Sequence, residues 1–288
     1  MASLIDMRRR IRSVRNTQQI TKAMKMVSAA KLRRAQERVF NARPYAHLLR
    51  EVLESLATRS GATQHPLLVR RPQERLLALV LSADRGLCGA FNTNIMRAAE
   101  RFQEEHREQT VELLVIGRRA RDYFRRRKAP VRQEYADVFS RLDFSLARRI
   151  ADEVIQTYAE DKTDAVYLIY NEFKSMMTQR IVVEQLLPLA EFRPQTPIAE
   201  SFLRVDYIYE QPPEQIYAAL LPKYVEIIVF HALLESAAAE HAARMTAMDS
   251  ATTNAGEMIE TLTLTLNRIR QAAITKEIIE VVSGASAQ

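Results

Sequence analysis

One short segment, Asp84–Gly89 (DRGLCG), has residues that could bind a phosphate, because two of its six residues are glycines and it separates an apolar run from a helical stretch. Phosphate groups often bind where a strand ends and a helix begins. However, neither G-x-G-x-x-G nor G-x-x-x-x-G-K-[ST] is present. We therefore favour a structural turn over a nucleotide site, and a Rossmann-like enzyme lacks its fingerprint.

Nucleophilic and metal chemistry have little support in the sequence. One cysteine, Cys88, and five histidines (47, 65, 106, 231 and 241) have no zinc-ligand spacing. A single cysteine excludes an intramolecular disulfide, and such a residue usually packs as a small apolar side chain. No Ser/His/Asp set and no paired carboxylates emerge. We expect no active site, no cofactor and no metal.

Anion binding is the remaining candidate chemistry. Seven basic residues fall in 118–128, namely Arg118, Arg119, Arg121, Arg125, Arg126, Arg127 and Lys128. They could form an RNA-binding patch. Because only Tyr123 and Phe124 are interleaved as stacking side chains, a solvated helix face is the better interpretation.

The N-terminal arm is more unusual in charge. Residues 1–45 hold 12 Lys+Arg and 2 Asp+Glu, a net charge of +10, and the rest hold 30 and 33, a net charge of −3. Ordinary surface helices mix both signs, so this arm predicts an anionic partner: nucleic acid, a membrane surface or an acidic protein. A basic coiled-coil nucleic-acid-binding protein is therefore one hypothesis for the chain.

Both ends of the chain are predicted to be long helices. No proline precedes Pro44 and none follows Pro222. The C-terminal segment has a heptad pattern: one line is Leu220, Ile227, Leu234, His241, Met248, Ala255, Leu262 and Ile269, and its companion is Tyr224, His231, Ala238, Met245, Thr252, Ile259, Leu266 and Ala273. We expect this helix to begin at Pro212-Pro213 or at Pro222, and to end near Ser283-Gly284.

The N-terminal helix is predicted from about Ser3 to Thr58, with a possible irregularity at Pro44. Its apolar line is Leu4, Met7, Ile11 and Val14. The same heptad continues through polar residues, so we expect the buried stripe to drift to Ile20, Met24 and Val27, as in a nearly straight helix.

The middle of the chain alternates strands with helices. We predict strands over 76–82, 111–116, 131–135, 165–170 and 180–187, separated by helical stretches up to about residue 107, over 118–128 and over 144–158. This order predicts a largely parallel sheet with a hairpin at its end. The fold class is thus α/β: a long antiparallel coiled coil of the N- and C-terminal helices plus a Rossmann-like domain. The predicted domains are 1–60, 61–211 and 212–288.

The two helices must be antiparallel, because both are attached to the middle domain. The C-terminal helix is the longer one, so its end from about Arg268 to Val282 should be unpaired. An exposed apolar tip of this kind needs a partner. We find no stretch of 18 uncharged apolar residues and no signal-peptide-like start, so we expect a soluble, cytosolic protein.

Four segments resemble one known family, the F-type ATP synthase gamma subunit of the bacterial type. They are the C-terminal run 274–285 (ITKEIIEVVSGA), the N-terminal run 11–27 (IRSVRNTQQITKAMKMV), the segment 84–89 (DRGLCG) and the segment 243–248 (ARMTAM). The matches occur in order, at both ends and in the middle.

This resemblance implies a central rotor stalk that couples proton-driven rotation of a c-ring to ATP synthesis, or ATP hydrolysis in reverse. The implied partners are a hexamer of alpha and beta subunits, epsilon and the c-ring, with no nucleic acid and with membrane contact only through the c-ring. The implied location is peripheral, on the cytoplasmic face of the cell membrane. Catalysis would belong to the ring, and this chain would have no catalytic site of its own.

The resemblance also implies a role for individual positions. Contact with the beta subunit is expected at Arg9, Arg10, Met24 and Lys25; an upper bearing inside the ring at Arg244, Arg268, Gln271, Thr275 and Glu277; c-ring contact at Tyr207, Tyr209 and Glu210; and an epsilon-facing position at Cys88. A plant-type redox switch needs a second cysteine and is excluded here.

Overall fold

The computed structural model describes residues 4–59, 65–140, 142–190, 192 and 211–286. The chain divides into two units: Met1–Ala29 with Arg244–Gln288, called the helical unit below, and Ala30–Ala243, called the sheet unit. Helix α1 (Leu4–Arg59) and helix α5 (Pro213–Ser286) contribute to both units. The division into 1–60, 61–211 and 212–288 stays a prediction.

Between the long helices, strands alternate with shorter helices as the sequence predicts. The elements are β1 (Arg75–Leu81), α2 (Phe91–Glu105), β2 (Thr110–Ile116), α3 (Arg118–Arg126), β3 (Val131–Tyr135), α4 (Phe144–Ala159), β4 (Ala165–Phe173) and β5 (Gln179–Leu187), with 3₁₀ turns at Pro66–Leu68 and Val138–Ser140. The sheet order is β3-β2-β1-β4-β5. Only β4–β5 is antiparallel, which confirms the parallel sheet with a terminal hairpin.

The strands form where the sequence is continuously apolar. Six of the seven residues of β1 are buried, as expected for a parallel strand covered on both faces. Leu76, Ala78 and Val80 pack in one core with Ile95 of α2 and Phe124 of α3. Helix α4 contacts β4. The shorter helices thus cover the sheet.

Local side-chain bonds fix where the shorter elements begin. The carboxylate of Asp143 accepts the backbone N–H of Leu146 at 3.0 Å and so caps α4. Gly117, between β2 and α3, has φ +99°, and a Cβ there would lie 2.0 Å from the carbonyl oxygen of Ser82. Only glycine allows the backbone after β2 to pass this close to the backbone after β1.

Helices α1 and α5 run through their internal prolines. Helix α1 continues past Pro44 and α5 begins at Pro213 and continues past Pro222, so Pro222 is not its start. Helix α5 also extends slightly beyond the predicted end at Ser283-Gly284.

In the helical unit the two helix segments are antiparallel. Lys25 Nζ lies 2.5 Å from Asp249 Oδ1, and the hydroxyl of Thr252 lies 2.8 Å from that of Thr21. Residue numbers fall on α1 as they rise on α5, which confirms the predicted orientation. Continuing this register along both helices places Leu4 opposite about residue 270.

The predicted drift of the buried stripe is wrong. Ile20 is 60% exposed and Val27 56% exposed, whereas Thr21 and Ser28 on the heptad line are buried at 8% and 3%. Met24 is half-buried. The contacting line keeps its heptad spacing because two helices that wind around each other hold a 3.5-residue repeat at the seam.

On α5 of the helical unit the heptad line is confirmed. Every member of it in that unit is buried or half-buried, namely Met245, Met248, Thr252, Ala255, Ile259, Leu262, Leu266, Ile269 and Ala273. Beyond this line the apolar tip is exposed as predicted, with Ile274 49%, Ile278 58%, Ile279 58%, Val281 72% and Val282 59% exposed.

Helix α5 contains a long apolar stretch. By length and composition alone, one window within Pro213–Ser283 could cross a membrane, and 44% of that window is buried in the protein.

Candidate functional site

The segment Asp84–Gly89 is a structural turn at the carboxyl ends of the parallel strands. The carboxylate of Asp84 accepts three backbone N–H groups: those of Arg118 at 3.0 Å, Asp137 at 2.8 Å and Phe139 at 3.0 Å. These donors come from the start of α3 and from the loop after β3. The acidic side chain therefore joins three loops at one end of the sheet, which agrees with the turn interpretation.

Helix α5 packs at the place where a doubly wound sheet usually binds its ligand. Strand order reverses beside β1, and ligands of such folds bind in the crevice at that point. Here Ala239 of α5 packs, with no exposed surface, against Ala83, Cys88 and Phe91 at the end of β1. Protein rather than nucleotide therefore occupies this position.

Cys88 is a buried side chain in that packing. It is 1% exposed, and its sulfur accepts the Asn92 side-chain amide at 3.1 Å. The oxygen of the same amide accepts the N–H of Ala83 at 2.9 Å. The thiol thus helps to set the turn, and the epsilon-facing position of this region stays a prediction.

The basic stretch on α3 is largely neutralised by ion pairs. Its pairs are Arg118 with Asp137, Arg121 with Asp122 at 2.8 Å, Arg125 with Glu134 at 2.8 Å and Arg127 with Glu100 at 2.6 Å. The hydrogen bond from Arg121 holds the pKa of the Asp122 carboxyl below its ordinary value. Tyr123 is covered by the guanidinium of Arg127, 4.2 Å from the ring centre. This arrangement favours the solvated-face interpretation over an RNA-binding patch.

The candidate residues on α1 lie along one helix rather than in a cluster. Arg9 and Arg10 are exposed, and Met24 and Lys25 are half-buried. Arg9 and Lys25 are separated by about 24 Å of helix at 1.5 Å per residue. Lys25 is already paired with Asp249 of the same chain, so an acidic partner would share or displace that contact.

The candidates on α5 have similar linear geometry. Arg268, Gln271, Thr275 and Glu277 are exposed, and Arg244 is half-buried. The hydroxyl of Thr275 donates to the carbonyl oxygen of Gln271 at 2.9 Å, one turn earlier. A linear set of exposed polar groups beside an apolar tip suits binding to a surrounding partner. Tyr207, Tyr209 and Glu210 lie outside the described residues.

Sequence reasoning missed two polar contacts of the helices. One is a polar layer in the helical unit, formed by Gln18, Thr21 and Lys25 with Thr252 and Asp249. The sequence contains a signal for this polar layer, because its α1 residues interrupt the apolar heptad line. The other is Glu235 in the sheet unit, which is 1% exposed and gave no sequence signal beyond being an acid inside an apolar helix.

Comparisons with known proteins place this geometry in one family. A family model described as ATP synthase matches residues 3–288. The chain is 54% identical to the ATP synthase gamma chain of Solibacter usitatus, covering 100% of this chain and 99% of the relative. It is 49% identical to that of Pelotomaculum thermopropionicum, again covering 100% and 99%.

Solved structures have the same fold. A chain from the central stalk and c-ring of Tetrahymena thermophila mitochondrial ATP synthase is 29% identical, with TM-score 0.62, covering 81% of this chain and 99% of that one. A chain from Euglena gracilis mitochondrial ATP synthase has TM-score 0.69 at 18% identity, covering 99% and 94%, and supports the fold alone. From its full-length matches, this chain belongs to the ATP synthase gamma chain family.

Proposed function

We propose that this chain is the central rotor stalk of an F-type ATP synthase. It would couple c-ring rotation to ATP synthesis in an alpha/beta hexamer, and ATP hydrolysis to rotation in reverse. The observation that carries the proposal is the helical unit: an antiparallel helix pair whose longer member ends in an exposed apolar tip. Such a tip can turn inside a surrounding partner with few directional bonds to break at each step.

The partner surfaces follow from this role. We assign Arg9, Arg10, Met24 and Lys25 to the beta subunit, because a positively charged helix attracts acidic loops. The attraction would be modest and screened by salt, since Arg9 and Arg10 are exposed.

The remaining contacts are assigned as the family resemblance implies. The polar residues Arg244, Arg268, Gln271, Thr275 and Glu277 would form the upper bearing in the hexamer. The segment at Tyr207, Tyr209 and Glu210 would face the c-ring, and the region around Cys88 would face epsilon. The enzyme's catalytic chemistry would occur in the ring, and the chain would be peripheral on the cytoplasmic face of the cell membrane.

Assembly with the partner subunits tests the proposal. The chain, mixed with the alpha and beta subunits of its own enzyme, should co-purify as one complex with ATPase activity, and a probe fixed to the sheet unit should rotate when ATP is added. An intact hexamer that forms without binding the chain would contradict the proposal.

Charge reversal tests the beta contact separately. The double variant R9E/R10E should lower the torque or the rate of ATP-driven rotation, because like charges would then face the acidic loops. Arg97 is a matched control, since it is also an exposed arginine on a helix but lies in the sheet unit, and R97E should rotate normally. Equal effects of the two changes would argue against the assigned contact.

The alternative was a basic coiled-coil nucleic-acid-binding protein. The relatives with matching full-length sequences are gamma chains, and the arginines of α3 are mostly paired, so we do not retain it. Absence of salt-dependent DNA or RNA binding at low salt is the expected result.

A further inference from the structure

One buried carboxylate, that of Glu235 on α5, bonds to groups from three different elements of the sheet unit. Its Oε1 lies 3.1 Å from Nη2 of Arg43 on α1 and 3.4 Å from Nε2 of His231, one turn earlier on α5. Its Oε2 accepts the backbone N–H of Phe173, the last residue of β4, at 3.1 Å. The side chain of Glu235 is 1% exposed.

A second contact lies one helical turn further along the same face of α5. Ala239, four residues after Glu235, packs in a buried cluster that the ring of Phe173 also contacts. Phe173 is thus held twice, by a hydrogen bond from its main chain and by packing of its side chain. The end of an interior strand is attached to α5 at two adjacent points.

Helix α1 reaches this part of the sheet unit through two charged side chains. Arg43 reaches Glu235, and Arg38 Nη2 donates to the carbonyl oxygen of Leu142, before α4, at 2.6 Å. The Arg43 side chain is 49% exposed, so its position depends on the carboxylate it meets. A hydrogen bond between charged groups is roughly twice as strong as a neutral one.

We propose that Glu235 is a positioning residue that holds the end of β4, helix α5 and helix α1 as one rigid joint, and that this joint carries torque between the sheet and both long helices. The inference rests on the proposed rotor function. A twisting force on the sheet reaches α5 through Phe173 and reaches α1 through Arg43. Without the carboxylate the helices keep their apolar packing in the sheet unit, for example at Leu53 and Leu233. They lose the charged link that joins β4, α5 and α1 at one point, and part of each rotation would be absorbed by local deformation.

Four variants separate the arms of the joint. E235A removes all bonds of the carboxylate. E235Q keeps an acceptor for the Phe173 amide but removes the charge that attracts Arg43. R43Q removes the α1 arm alone, and R43K restores a positive charge there.

A matched control is available on α1. Glu54 is also a buried carboxylate, with an 8% exposed side chain, and it pairs with Arg50 one turn earlier on the same helix at 3.0 Å. Because Glu54 and Arg50 both lie on α1, E54Q removes a comparable ion pair within one helix and leaves the bonds of Glu235 in place.

The first measurement is hydrogen exchange in the purified full chain. In E235A the Phe173 amide should exchange roughly tenfold faster or more, because a buried hydrogen bond is lost. In E54Q that amide should keep its wild-type rate, because Glu54 is not its acceptor. In R43Q it should exchange more slowly than in E235A, because the acceptor oxygen Oε2 of Glu235 is still present.

The second measurement is coupling in the complete enzyme, in inverted membrane vesicles. The proton pumping obtained per ATP hydrolysed should fall in E235A, and fall less in E235Q and R43Q, while the hydrolysis rate stays near wild type. R43K should recover coupling relative to R43Q. A residue with only a structural role would not change this ratio in assembled enzyme.

Each result has a defined meaning. Unchanged coupling in E235A, despite faster exchange at Phe173, would overturn the inference, as would an equal loss in E54Q. If E235A fails to assemble, wild-type coupling in both E235Q and R43Q would overturn it. Failure of the wild-type chain itself to support ATP-driven pumping would instead contradict the proposed rotor function.

Discussion

Helix α5 has two different environments along its length. In the sheet unit it is buried on several faces, so that Val225, Leu233 and Ala242 all have at most 1% exposure. In the helical unit only its heptad line is covered, and Met248 and Ala255 are its buried members. The first part is surrounded by protein, and the second contacts a single partner helix.

The kinds of polar residue that each region buries also differ. The sheet unit encloses Glu226, Glu235 and Glu240 on α5, each at most 4% exposed. The helical unit instead places hydroxyl and amide groups at its seam, where Gln18 Nε2 donates to the carbonyl oxygen of Thr252. Buried charges need fixed partners on several sides. A two-helix seam offers too few, so its buried polar groups are neutral, and the charged pair Lys25–Asp249 stays partly exposed (41% and 54%).

The largest expected difference concerns a core leucine in each region. Leu233→Ala in the sheet unit, where the side chain has no exposure, should lower the free energy of unfolding by about 3 kcal/mol, because it leaves a cavity. Leu262→Ala at the half-buried seam should cost about 1 kcal/mol. Urea unfolding of the purified chains measures both. Equal losses would mean that the two regions are equally well packed.

The next effect concerns a buried carboxylate of the sheet unit. Oδ1 of Asp164 lies 2.6 Å from Nη2 of Arg75, and Oδ2 accepts the Arg75 backbone N–H at 2.8 Å. The Arg75 side-chain hydrogen bond is the main reason why the pKa of Asp164 lies below its ordinary 3.8. The ion pair of Asp164 therefore stabilises the fold fully at pH values above 3.8. This stabilisation is lost as the pH falls through the lowered pKa of Asp164.

Asp164→Asn should accordingly cost about 2 kcal/mol at pH 7 and flatten the acid limb of the stability curve. Its control is Asp122→Asn, which breaks a more exposed ion pair with Arg121 and should change stability by about 0.5 kcal/mol or less. Unfolding curves from pH 7 down to acid measure both. A D164N chain with the wild-type acid limb would contradict the assigned role.

A smaller effect, of opposite sign, is expected at the polar layer of the helical unit. The hydroxyl of Thr252 is 2.8 Å from that of Thr21 and 2.7 Å from the carbonyl oxygen of Met248. Because T21V/T252V replaces both partners with apolar groups of the same shape, stability should stay unchanged or rise by about 0.5 kcal/mol. A loss above 1 kcal/mol in urea unfolding would mean that these hydroxyls stabilise the seam.

The smallest effect on stability is expected at the apolar tip. Serine at Ile274, Ile278 and Val281 together should leave the unfolding free energy of the isolated chain within about 0.5 kcal/mol, because exposed side chains lose little on replacement. The same triple variant should bind less well to the hexamer. Val183→Ser, at a similarly exposed position of the sheet unit (46%), serves as a control. A large loss of stability at the tip would show that it packs internally.

Much of this architecture could be predicted from local patterns. The alternation of apolar runs and amphipathic stretches predicted all five strands and their pairing direction, because buried parallel strands and helix faces have distinct periods. The exposed tip followed from unequal helix lengths alone. Predicted element bounds differ from the observed ones by only a few residues.

What could not be predicted depends on contacts between distant parts of the chain. Ile20 and Val27 were predicted to lie on the buried face of α1 because they are apolar. The structure buries Thr21 and Ser28 instead. Nothing near Glu235 in the sequence indicates Arg43 or the Phe173 amide. Likewise, the net charge of residues 118–128 could not reveal that carboxylates from other elements pair with Arg118, Arg125 and Arg127.

The crossing of strand ends at Gly117 has a consequence for natural variation. With the Ser82 carbonyl oxygen only 2.0 Å from where a Cβ would be, even alanine would force two backbone segments apart at the carboxyl end of the sheet. We expect a population survey of this gene to record silent changes in the Gly117 codon and no amino-acid replacement. A position that carries no side chain would then tolerate no replacement, because the backbone of a neighbouring loop occupies the space that a side chain needs.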